Sequence, residues 1–253
     1  MPETPATPEY GPVHGVLTPM ANTTAEPEMA ALLDGSTMLA ARLVSRATDS
    51  RQRLLDYVAG IDAAIESFDI APLVSVGFAC TCYYLHDPAL DEADRARRED
   101  RFGIPVATST SALRECFAHW GIDRVAWITP YPAWLAAEGE RWWRHHGVTI
   151  ITRVGLPDDL LDTRGIYRLT TARVEEMWDR LDATGADAVL FGGTGMPTLP
   201  FLARREPPIR VISSNLALAA ALLARGRPIG PALDYLAGPA APWRARHATP
   251  ATP

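Results

Sequence analysis

The chain has 253 residues, 47% of them hydrophobic and 21% charged, with a formal net charge of −6. That length supports a real core in one large or two small domains. The acidic balance excludes the extended basic face that nucleic acid or an anionic membrane requires, and no apolar run approaches the roughly 20 residues needed to cross a bilayer.

From the N-terminus, residues 1–12 are rich in Pro and Thr and read as a flexible tail, as does the Pro/Ala-rich stretch 230–253. Between them, apolar runs of strand length alternate with helical periodicity. Strands are expected at 14–17 and 37–43, then a helix at 51–67 and a strand at 73–78. The run 89–101 mixes both charge signs at helical spacing and reads as a solvated surface helix. A strand at 104–107 and a helix at 109–120 follow, the latter stopped by Gly121. The second part repeats the alternation: strand 125–129, helix 132–145, strand 148–153, helix 171–184, strand 188–191, strand 209–212 and helix 215–225. Short continuous apolar strands separated by amphipathic helices predict an α/β protein whose parallel sheets are covered on both faces.

The two parts rhyme. Leu73-Val74-Ser75-Val76-Gly77-Phe78-Ala79-Cys80-Thr81 has the shape of Ala188-Val189-Leu190-Phe191-Gly192-Gly193-Thr194, and Leu17-Thr18-Pro19 that of Ile128-Thr129-Pro130. We therefore expect two pseudo-symmetric, doubly wound halves, 13–120 and 121–229, with a cleft between them and the chain crossing back near its end. The matched loops lie at the carboxyl ends of strands, where such sheets bind ligands.

Cys80 ends a strand and is followed by a loop able to present N–H groups, so it reads equally as a nucleophile or as a small buried hydrophobe. Cys82 could face the same cleft, whereas Cys116, beside Leu113 and Phe117, reads as core. The Asn22-Thr23-Thr24 turn reads as a helix cap before it reads as an anion site. Tyr131 offers a phenol for a carboxylate or enolate, and Ser213-Ser214-Asn215 caps a helix. Gly192-Gly193-Thr194-Gly195 matches no phosphate or dinucleotide loop and instead suggests close approach of backbone to a small ligand. The tandem pairs Trp142-Trp143 and His145-His146 read as packing and a helix end, and no metal-ligand spacing is present. Three cysteines without an export signal predict reduced thiols in the cytoplasm.

Taken in order, the segments 19–28, 79–81, 129–131 and 213–215 resemble the motifs of maleate cis–trans isomerases, in the aspartate/glutamate racemase superfamily that also contains arylmalonate decarboxylase. The resemblance runs from about Val16 to about Leu223. It implies no cofactor and no metal, and small carboxylate substrates held in a closed cleft. Carried over residue by residue, it makes Cys80 the catalytic thiol and Asn22 and Tyr131 carboxylate-binding groups. Thr81 becomes a hydroxyl and N–H donor, and Gly193 and Thr194 part of the binding loop. The family's second cysteine falls at Gly193, and Thr163 is the nearest counterpart of a binding asparagine.

A lone thiol disfavours two-base racemisation. Cis–trans isomerisation needs one nucleophile and oxyanion donors, so a maleate-type isomerase is the leading expectation. A decarboxylase of substituted malonates, with Cys80 as proton donor, is the alternative, because Gly193 is expected to widen the pocket. A non-catalytic carboxylate-binding protein is the third reading. Homo-oligomerisation is left open, since the apolar run 216–223 suits an interface as well as a core.

Overall fold

The structure, a computed structural model, describes residues 9–156 and 162–248. Its first part runs β1 (Val13–Pro19), α1 (Ala25–Leu32), β2 (Thr37–Leu43), α2 (Ser50–Ala59), α3 (Ile61–Glu66) and β3 (Leu73–Phe78). A 3₁₀ turn (Cys82–Leu85), α4 (Leu90–Phe102), β4 (Val106–Thr108) and α5 (Ser109–Trp120) complete it. The second part runs β5 (Arg124–Thr129), α6 (Ala133–His145), β6 (Thr149–Gly155), a 3₁₀ turn (Thr163–Arg168), α7 (Thr171–Asp179) and β7 (Ala188–Phe191). It continues through α8 (Leu199–Arg204), β8 (Arg210–Ser213), α9 (Ser214–Ala224), α10 (Gly230–Ala237) and α11 (Pro242–His247).

Each part builds a four-stranded parallel sheet, in the orders β2-β1-β3-β4 and β6-β5-β7-β8. The shared order is the structural form of the sequence repeat. All seven residues of β1 and all four of β7 are buried, so these strands lack the polar alternation of a one-sided sheet. Two helices start from matched caps: Thr108 accepts from Ser111 N–H at α5, and Ser213 from Leu216 N–H at α9.

Helix α9 leaves the second sheet and lies on the first. A Cβ on Gly77 of β3 would meet Leu222 and Leu218 at 3.0 and 3.1 Å, and Ser75 donates to Leu222 O at 3.1 Å. Its apolar residues Leu216, Leu218 and Leu222 are therefore core within the chain. Tyr84 reciprocates from the first half: it packs against Trp127, Trp142 and Trp143 and accepts from Trp143 Nε1 at 3.0 Å.

Three expectations are corrected. The helix expected at 51–67 breaks at Gly60 into α2 and α3. The run 89–101 is helical, but Asp91 and Arg98 are buried: Asp91 accepts from Thr108 Oγ1 and Arg98 donates to Tyr83 OH. Within the stretch 230–253 expected to be a loose tail, α10 and α11 pack on the body. Leu233, Leu236 and Trp243 are buried, Trp243 Nε1 donates to Leu236 O, and Arg244 donates to Leu202 O. Proline there starts helices, at Pro231 and Pro242, instead of preventing them. Residues 1–8 and 249–253 of the two expected tails lie outside the described residues.

Candidate active site

The four innermost strands, β1, β3, β5 and β7, end on one side, and their loops are joined by a chain of hydrogen bonds. After β1, Asn22 Nδ2 donates to Thr194 Oγ1 at 3.2 Å. Thr194, after β7, donates to Ala79 O at 2.8 Å, beside Cys80 after β3. Thr81 Oγ1 then shares a short hydrogen bond with Tyr131 OH, after β5. Each of these three hydrogen bonds joins the first half to the second, so the site is held by the same contacts that close the cleft.

Inside this ring is a small cavity of about 20 Å³, whose wall includes Cys80, Thr81, Tyr131, Thr163 and Thr194. That is room for about one water molecule, so a dicarboxylate enters only when the wall moves. A larger groove, about 440 Å³, lies elsewhere between Trp120, Arg210 and Arg244 and contains none of these residues. Cys80 is 8% exposed, its sulfur on the cavity wall and not sealed in hydrocarbon.

Burial, and then the hydrogen bond with Cys80, push the Cys82 thiol well above its usual range, so it is neutral at pH 7. Burial also raises the phenols of Tyr131 and Tyr167, with Cys80 adding to both, and raises Tyr57 to about 12. Cys80 therefore sits among neutral groups, the Cys82 thiol and O–H donors that can serve an oxyanion without carrying charge of their own. Cys116 is fully buried in α5, its thiol raised first by burial. Among the described residues, no group of three His, Cys, Asp or Glu side chains could hold a metal ion.

Two residues expected in the pocket stand outside its lining. Asn22 Oδ1 accepts from Thr24 N and Ala25 N, so its carbonyl caps α1 while its amide reaches Thr194. Gly193 does not widen the pocket: a Cβ there would lie 2.6 Å from Pro130 Cγ and 2.8 Å from Cδ. The proline ring occupies the space a second cysteine side chain would need.

Cys82 lines the cavity as well, and sequence reasoning missed Leu54, Leu135, Ile166, Tyr167 and Gly195, which complete the wall. It also missed the role of Glu28, buried at the back of the site. Glu28 accepts from Thr198 N, Leu199 N, Thr198 Oγ1 and Asn215 Nδ2, and Asn215 Nδ2 also donates to Thr194 O. Burial raises the Glu28 carboxyl against the pull of those donors. Its position four residues after the capping turn that ends at Thr24 was the available signal.

The family model for arylmalonate decarboxylase matches residues 15–228. The chain belongs to that family. Among relatives, it is 24% identical over 211 residues to the maleate isomerase of Alcaligenes faecalis, covering 77% of this chain and 82% of that protein. It is also similar in fold to the Nocardia farcinica maleate cis-trans isomerase, solved as a Cys-to-Ser mutant with a covalently bound succinylcysteine intermediate. There the TM-score is 0.73 at 23% identity, covering 84% of this chain and 91% of that one. A crystal structure of arylmalonate decarboxylase matches with a TM-score of 0.68 at 17% identity, covering 85% and 92%. These solved relatives share with the chain the arylmalonate decarboxylase family fold of two facing parallel sheets. No helix among the described residues is long and apolar enough to cross a membrane.

Proposed function

We propose that this member of the family isomerises a small cis-ene-dicarboxylate of the maleate type, with Cys80 as the nucleophile. One observation carries the reading: of the two thiols on the cavity wall Cys82 is held neutral by burial, Cys80 faces neutral donors, and the place of an opposed thiol at Gly193 is filled by Pro130. The Cys80 thiolate adds to one alkene carbon, and the π electrons move onto the neighbouring carbon and into its carboxylate as an enediolate. The former double bond, now single, rotates. Collapse of the enediolate re-forms the alkene in the trans geometry and expels the thiolate, with no net proton transfer. Tyr131 and Thr81 supply the donor for the transient oxyanion, since their shared hydrogen bond uses only one of the two hydroxyl protons. Thr81 has no backbone partner for its N–H among the described residues, which leaves that group available too. The succinylcysteine in a solved relative supports this route, being the species formed when such an adduct takes up a proton.

Decarboxylation of a substituted malonate, with Cys80 protonating the enediolate left by carbon dioxide, is the second reading, supported by the family match. The filled space at Gly193 counts against a bulky substituent. Proton NMR of maleate and of phenylmalonate in deuterated water separates the two. We expect fumarate from maleate, no turnover by Cys80→Ala, and a Cys80 adduct by mass spectrometry. Release of carbon dioxide with solvent deuterium in the product, and no fumarate, would replace the first reading by the second.

A further inference from the structure

Among the described residues, Arg53 is the one strongly buried cation near the cavity, and the proposed chemistry does not use it. It lies on α2 and its side chain is about 1% exposed. Nη2 donates to Asp162 Oδ1 at 2.8 Å and to Ser50 Oγ at 2.9 Å, but Nε and Nη1 have no partner among the described residues. Leaving N–H groups of a buried guanidinium unpaired is costly, and native structures rarely do so without a ligand or function to account for it. Asp162 does not neutralise this wall, because the same carboxylate also holds Arg164 through Nε and Nη2. Among the described residues, two guanidinium groups share this one carboxylate.

The placement ties that charge to the reacting thiol. Leu54 and Thr163, the chain neighbours of Arg53 and Asp162, both line the Cys80 cavity. Tyr57, one turn along α2, and Tyr167 on the wall both experience Cys80 and Arg53 together. The donors beside Cys80, by contrast, are all neutral. A substrate with one carboxylate among the Thr81 and Tyr131 donors needs a different kind of site for a second.

We infer that Arg53 anchors the second carboxylate of the substrate, through its unpartnered Nε and Nη1, and so selects dicarboxylates over monocarboxylates. The inference deepens the proposed function and rests on it for the position of the first carboxylate. A charge-assisted pair of this kind is worth about tenfold to a hundredfold in affinity.

The test is calorimetric titration of the full chain with succinate and with propionate, neither of which requires turnover. The wild-type protein is expected to bind succinate about tenfold to a hundredfold more tightly. Arg53→Gln is expected to erase that preference, and Asp162→Asn, which keeps the guanidinium, to retain it. If Arg53→Gln does not fold, the double variant Arg53→Gln/Asp162→Asn removes the buried charge together with its partner, leaving only the exposed Arg164 guanidinium, and carries the same measurement. Equal binding of the two acids by the wild type, or a succinate preference that survives loss of Arg53, overturns the inference. So does an equal loss in Asp162→Asn, because Arg53 would then act only by holding Asp162. A succinate preference that follows Arg53 in a protein without isomerase activity upholds the anchor and sinks the reaction. Isomerisation with an unchanged KM in Arg53→Gln does the reverse.

Discussion

Replacing Gly193 by alanine tests the claim that Pro130 has taken the second thiol's place. The added methyl would stand 2.6 Å from Pro130 Cγ and 2.8 Å from Cδ. Carbon atoms pack at about 3.5–4.0 Å, so ring or loop must move by about an ångström. The proline ring cannot swing away, because it is closed on its own backbone nitrogen. Gly193 is also held by its N–H, which donates to Ser214 Oγ at 3.0 Å. Overpacking of this kind costs about 1–3 kcal/mol. For a chain of this size that corresponds to a fall in Tm of about 2–4 °C per kcal/mol. Pro130→Ala removes both clashing atoms, so the double variant should recover part of the loss, with a coupling energy of about 1 kcal/mol or more. Thermal and urea unfolding of the four proteins in the cycle measure it. If Gly193→Ala melts with the wild type, or if the two substitutions simply add, the packing argument is wrong. The chemical corollary concerns Gly193→Cys: two-thiol racemisation should appear only in the Pro130→Ala background.

Two further outcomes follow from buried ionisable groups. His14 is fully buried, with Nδ1 on Ser75 Oγ at 2.8 Å, and burial, then Arg225, lower its pKa to about 4. The unfolded chain binds the proton first, so this stability is complete above about pH 6.5 and is lost as pH falls toward 4. We expect a loss of up to about 3 kcal/mol over that window, read from urea midpoints. His14→Gln should flatten the slope, and an unchanged slope would mean other groups set it. Glu28→Ala strands its buried donors and should cost about 3–5 kcal/mol, with Glu28→Gln costing less because it keeps one acceptor. A loss below about 0.5 kcal/mol in urea unfolding would show that water replaces the carboxylate.

What was legible in the sequence depended on whether one segment carried its own signal. Strand 73–78 and strand 188–191 are continuous apolar runs, and both occupy the expected residues. Helix 109–120 was marked by Gly121 at its end, while the Thr108 cap at its start emerged only from the structure. The break at Gly60 was not legible, because residues 51–67 keep helical periodicity through it. Nor were α10 and α11, where Ala and Pro dilute Leu233, Leu236 and Trp243 below the threshold of pattern reading. The cavity wall is harder still. Leu54 of α2 and Tyr167 of the second 3₁₀ turn have no relation in sequence to Cys80, and only packing brings them to it.

Gly193 shows why the last step from sequence to site failed in one place. A glycine where a relative has a side chain reads as empty space, and empty space reads as tolerance for a larger substrate. Whether the space is empty depends on a neighbour, here Pro130, sixty-odd residues away in sequence and part of the matching loop in the same half. The ring of hydrogen bonds through Asn22, Thr194, Ala79, Thr81 and Tyr131 makes the same point in the other direction. Under the proposed reaction the second half supplies Tyr131 while the first carries Cys80 and Thr81, so two equivalent folds take unequal parts and a symmetric scaffold acts on its substrate from one face only.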